Sequence, residues 1–355
     1  MYRRSLFAAL LLAAAALSVS AGFAQSFVLD LPRQSQHAVL TQRVGITDIT
    51  VNYHRPLVNG RKVWGTLVPY GQVWRAGANE NTTIQFKDAV TVEGQSLPAG
   101  TYGLHMIPGE NEWTVIFSKN YTSWGSFTYK ESEDAVRVKV KPQATDMHEA
   151  LTYDFDDVKP DATVLTLRWE KVAVPVKIGV NTHEIVAASL QNQLRGLAQY
   201  TWIGGDEAAN YFLAEKYGYD EALKYSDASI KNEERYDNLM TKSQLLDAEG
   251  KKDDATTARN KALGMANAIQ MHTYARQLQG QGKQAEAFQI FQQNARKNPD
   301  QWIIHVGLAR MYCGQGDFSK AVQEMNLATV GAPDGQKQPL QAMVKRLEAK
   351  EDINK

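Results

Sequence analysis

Six side chains crowd one region of this sequence in a way that could support chemistry. They are His54, Arg55 and Arg61, then Arg75, Asn79 and Glu80 within PYGQVWRAGANENTTIQF, the stretch from Pro69 to Phe86. A guanidinium such as Arg75 can hold an anionic group through paired N–H donors, and Glu80 could accept a hydrogen bond or act as an acid. With Tyr70 and Trp74 as aromatic anchors, these residues could line a saccharide pocket or a hydrolase site. The competing reading is architectural: Trp74 is core, Gly77 permits a bend that few side chains tolerate, and Arg75 and Glu80 tie loops together.

Other constellations fail on spacing. His37, His54 and His105 fall on separate expected strands, and three imidazoles could hold zinc, but nothing in their spacing makes them converge. His148-Glu149 and His183-Glu184 lack the second histidine of a metalloprotease helix. Asp154, Asp156, Asp157 and Asp161 form an acidic run, yet a calcium loop starting at Asp154 would meet Lys159 and Leu165 where glycine and glutamate are required. Gly280-Gln281-Gly282-Lys283-Gln284-Ala285 matches a dinucleotide fingerprint on paper but follows an expected helix rather than a strand. There is no nucleophile elbow and no phosphate-binding loop. Cys313, the single cysteine, falls on an expected helix, where packing explains it better than nucleophilic catalysis. No catalytic residue, metal or cofactor is therefore assigned.

The elements that must carry these residues change character once along the chain. From about residue 27 to 180 apolar positions recur at period two, in Ile46 to Tyr53, Thr101 to Ile107, Trp113 to Phe117, Val136 to Val140, Thr163 to Trp169 and Val172 to Ile178. Turn signals such as Asn59-Gly60, Glu93-Gly94 and Pro108-Gly109 separate them. Eight to ten short strands without an intervening amphipathic helix predict an antiparallel β-sandwich or jelly-roll-like domain.

Several of these stretches carry a resemblance. Tyr53-His54-Arg55-Pro56, Asn59-Gly60-Arg61, Trp64-Gly65-Thr66-Leu67-Val68-Pro69, Trp74 to Glu80, Pro98-Ala99-Gly100-Thr101-Tyr102 and Glu112 to Phe117 occur in an order similar to that of the uncharacterised bacterial family DUF2911. The resemblance runs from about Leu31 to Ile178. It implies an exported β-domain of unassigned role and supplies no catalytic residues.

From 181 to 352 the period is helical. Asn181 with Glu184 reads as an N-terminal cap, and Val186, Leu190, Leu194 and Leu197 form an apolar stripe. A repeat follows, marked by Gly218, Gly250, Gly282 and Gly316 at spacings of 32, 32 and 34, each with an alanine four or five residues later. Period and offset resemble tetratricopeptide (TPR) repeats, so an all-α, TPR-like solenoid is expected, closed by a helix over residues 337–350. On its groove-facing positions stand Met240, Gln244, His272, Arg276 and Arg310. Arg276 and Arg310 could fix a carboxylate of a peptide or an envelope component.

The first residues indicate the compartment. Arg3 and Arg4, the apolar run Leu6 to Val19 and Gly22-Phe23-Ala24 form a signal peptide cut after Ala24, because the run is too short to span a membrane. Removing residues 1–24 leaves 37 basic against 39 acidic residues, a balance that does not point to nucleic acid. No later segment reaches membrane-spanning length. The sequence thus describes an exported bacterial protein, periplasmic or secreted. It is expected to be a non-catalytic scaffold with a peptide or protein partner in the repeats, the alternative being a carbohydrate-binding module or hydrolase in the β-domain that engages an envelope glycan.

Overall fold

The computed structural model describes residues 31–354, so the expected signal peptide lies outside the described residues. The chain divides between Ala187 and Ala188 into two compact units.

Among the described residues the first unit holds ten strands in two antiparallel sheets. A six-stranded sheet has the order β1 (Gln36–Val44), β2 (Thr47–Arg55), β3 (Thr83–Phe86), β6 (Gly100–Ile107), β7 (Trp113–Ser118), β8 (Asp134–Val140). The other runs β5 (Gln95–Leu97), β4 (Val90–Val92), β10 (Ala162–Val180), β9 (Gln143–Asp156). Neither sheet closes on itself, so the sandwich holds rather than a barrel. One apolar core draws on both sheets, with Ile49, Val51, Ile84, Leu104 and Phe117 from one and Leu151, Leu167, Val174 and Val176 from the other. In β2 the pattern is strict: Thr47, Ile49, Val51 and Tyr53 are buried while the residues between them are not.

Two strands expected over 163–169 and 172–178 are one 19-residue strand, β10. Thr163, Leu165, Leu167 and Trp169 point inward, and after Glu170 the buried set moves to Val174, Val176, Ile178 and Val180. The phase slips because Glu170 is left-handed, at φ 53°, and the pairing register with β9 shifts on either side of it. A bulge adds one residue without ending the strand, which in sequence looks like a break.

The second unit contains the helices α2 (Trp202–Glu215), α3 (Tyr219–Asn232), α4 (Tyr236–Ala248), α5 (Lys252–Met265), α6 (Ala268–Gly280), α7 (Gln284–Lys297), α8 (Trp302–Gly314), α9 (Phe318–Gly331) and α10 (Asp334–Glu348); α1 (Thr182–Gln193) leads into them. Ten consecutive helices among the described residues are consistent with a TPR-like solenoid. The repeat glycines sit in the turns of the pairs α2/α3, α4/α5, α6/α7 and α8/α9 with φ of 61°, 81°, 78° and 82°, a conformation that costs other residues strain. The alanines after them, Ala222, Ala255, Ala287 and Ala321, are fully buried where paired helices touch. Phe291 and Met325, which share one repeat position, fill the space between helices. The cap at Asn181 forms, its Oδ1 accepting from the Glu184 N–H at 3.4 Å. The stripe behind it is only half-buried, and Leu197 is exposed. No helix among the described residues is long and apolar enough to cross a membrane.

Candidate functional site

The Pro69 to Phe86 stretch is anchored at Trp74, whose N–H and carbonyl both bond to Met106 on β6 at 2.8 Å. The Trp74 indole stacks on Trp169 at 5.9 Å and meets Trp64 edge-on, and Trp64 in turn contacts Trp113. The bend after it is made by Ala76 and Asn79, at φ 51° and 56°, rather than by Gly77. Gly77 serves closeness instead, because a side chain there would collide with the Thr82 hydroxyl. The Ala76 carbonyl accepts from the Tyr153 hydroxyl at 2.8 Å, which fastens the bend to β9.

Beyond the bend His54 and Glu80 stay together while the other four singled-out residues separate. Arg55 donates to the Leu151 carbonyl and the Thr152 hydroxyl, tying β2 to β9. Arg61 donates to the Val58 and Leu57 carbonyls of its own loop. Asn79 donates to the Ser35 carbonyl at 3.4 Å. Glu80 and His54 meet at 3.4 Å beside a cleft of about 590 Å³ that Arg33 and His37 also line. His37 stands opposite His54 across the β1–β2 pair, ring centres 5.1 Å apart, and bonds to the Asn52 side chain.

The electrostatics of that cleft oppose acid catalysis. Arg33 grips both Glu80 oxygens at 2.6 and 2.8 Å, and this holds the Glu80 carboxyl below its usual range. A general acid needs the reverse shift. Burial lowers His54, only partly offset by the Glu80 charge, so the imidazole is neutral at pH 7. His105 is apart, buried on β6 against Ser126. Among the described residues no group of three or more His, Cys, Asp or Glu side chains could hold a metal ion. Asp154 and Asp156 of the acidic run face Arg168, which neutralises them.

Arg75 makes no direct ion pair with Glu80, although it feels that carboxylate's charge. Its guanidinium lies 5.6 Å from the centre of the Trp124 ring, its Nε is buried without a partner, and burial lowers its basicity. Trp64 and Trp113 are core and Trp74 is half-buried, whereas Trp124 is exposed.

In the helical unit, Met240 is buried in the core shared with α5 to α8. Met240 and Gln244 border a cleft of about 780 Å³ between α4, α5 and α6. His272, Arg276 and Arg310 come together on α6 and α8. Burial, with the charges of Arg310 and Arg276, pushes His272 down to about 4, and burial with Arg276 pulls Arg310 down to about 10. The His272 Nδ1 and the Arg310 Nε are buried without partners.

Sequence reasoning missed what lies on this cluster: the chain's own residues 352–354. Arg310 donates to the Ile353 carbonyl at 2.5 Å, and the Asn354 amide donates to the Arg310 carbonyl at 3.0 Å. Gln279, itself held by Arg276 at 2.6 Å, donates to the Asn354 side chain. Ile353 is buried in the core of α8, α9 and α10, which also contains Cys313. An isolated isoleucine in a polar tail carries no periodic signal. Arg33 was missed because nothing in its neighbourhood of sequence marks a strap, and the pairing of Trp124 with Phe127 was missed because two aromatics in a turn-rich loop have no period to read.

No curated protein matches the chain. Residues 35–178, the β-unit that carries the Glu80 cleft and Arg75, match the model of the family DUF2911, a protein of unknown function.

Proposed function

We propose that this is an exported, non-catalytic binding protein, periplasmic or secreted, whose helical repeats hold an extended segment of a protein partner. The observation that carries this reading is the Arg276–Gln279–Arg310 cluster, which receives main-chain and amide groups of residues 353–354 in the manner of a bound peptide. A partner segment carrying an apolar residue followed by an asparagine would take the same place. Glu80, held by Arg33 with its carboxyl below the usual range, is poorly placed to serve as the proton donor of the hydrolase alternative.

The test uses a fluorescein-labelled peptide of sequence AKEDINK. A chain lacking residues 351–355 binds it at least tenfold more tightly than the full chain, whose groove is filled, and adding Arg310→Ala abolishes binding. A folded truncated chain that ignores the peptide refutes the reading. Should truncation unfold the protein, full-length Asn354→Ala, which loosens the tail but keeps Ile353, must bind the peptide more tightly than wild type. Recovery of the same envelope proteins by wild type and by Arg276→Ala, Arg310→Ala would remove these arginines from the interface.

A further inference from the structure

We infer a second binding site, in the β-unit, for an acidic saccharide. It is built on the loop between β7 and β8. Trp124 and Phe127 stack nearly parallel there, 13° apart with centres at 6.0 Å, and both are exposed, at 58% and 80%. Tyr121 of the same loop is also exposed. A folded chain gains nothing by presenting such rings to water, whereas the C–H face of a sugar packs on them without desolvating its hydroxyls.

Charge selects among sugars. The Arg75 guanidinium lies over Trp124 with its Nε cut off from water; among the described residues it has no direct hydrogen bond or ion pair, and it feels Glu80 only as a charge at a distance, that carboxylate being held by Arg33. A cation without a direct partner at the edge of an aromatic platform is complementary to a carboxylate, which would accept paired N–H donors from it. Close packing sets its position: a side chain at Gly125, at φ 69°, would come within 3.0 Å of Arg75 Nη1. Behind the platform Ser126 bonds to buried His105 at 3.0 Å, and Tyr129 donates to Asp134 at 2.6 Å, so the loop is fixed to β6 and β8. A uronic-acid unit fits both halves, its ring on Trp124 or Phe127 and its carboxylate on Arg75.

Calorimetry with an oligogalacturonate, a neutral galactan oligomer of the same length and oligoglutamate tests this. The oligogalacturonate binds at least tenfold more tightly than either of the others. Trp124→Ala reduces its affinity at least tenfold, while Arg75→Gln, folded by near-ultraviolet circular dichroism, abolishes the preference for the acid over the neutral sugar. Equal affinity for acidic and neutral oligomers, tighter binding of oligoglutamate, or no binding of oligogalacturonate at millimolar concentration overturns the assignment. Arg310→Ala leaves this binding unchanged, so its outcome is separate from that of the peptide groove.

Discussion

Gly77 and Ala76 divide a task that sequence assigns to glycine alone. Ala76 carries the left-handed turn, and Gly77 makes room for Thr82. The Gly77→Ala variant is therefore expected to lose about 2 kcal/mol, the usual cost of overpacking, rather than the cost of a strained φ. Urea unfolding measures it, and Thr82→Ala in the same chain, by removing the colliding hydroxyl, should restore a good part of the loss. The repeat offers a contrast of opposite kind. Gly282 has φ 78° and open space, so Gly282→Ala costs about 1 kcal/mol through backbone strain alone. Gly280, two residues earlier, is helical with nothing near it, and Gly280→Ala is expected to be neutral or stabilising by up to about 1 kcal/mol. Equal losses at both positions would contradict the helix-turn reading of this glycine pair.

Elements were legible where a period was undisturbed. The strands 47–55, 100–107 and 113–118 and the repeat helices follow from alternation and from the glycine spacing, since burial on one face repeats with the backbone. Legibility failed at β10, where the bulge at Glu170 shifts the phase, and at β9, whose outer half is polar. It failed for the Glu80 cleft in a different way. Arg33 and Glu80 are 47 residues apart, and only the β1–β2–β3 order brings them together. The contact makes a prediction for the strap around Arg33: Glu80→Gln removes the charge that holds it. Hydrogen exchange at residues 33–37 should then speed up several-fold while the amides of β6 and β7 stay as slow as before.

At the scale of the whole chain, a neutral histidine withdrawn from water in each unit, His105 in one and the half-buried His272 in the other, ties stability to pH. Burial pushes His105 and His272 down to about 4 in the folded protein, against about 6.5 when unfolded. The unfolded chain therefore binds more protons between these values, and stability falls as pH drops from about 6.5 to about 4. The shift corresponds to about 3 kcal/mol for each histidine. Unfolding midpoints at pH 7 and pH 5 should differ clearly for wild type and less for His105→Asn and His272→Leu. A wild-type curve flat across this range would show that neither ring is buried as described. The proposed export also makes a prediction for the whole chain: amino-terminal sequencing of protein recovered from the periplasm should begin at Gln25.

The segment 352–354, clasped by Gln279 and Arg310, bears on time as well as on affinity. If an arriving peptide must wait for these residues to leave, its observed association rate rises with concentration only until it meets the release rate of the tail. The rate then levels off. Stopped-flow mixing should show this ceiling in the full chain, and a straight line without a plateau in the chain lacking residues 351–355.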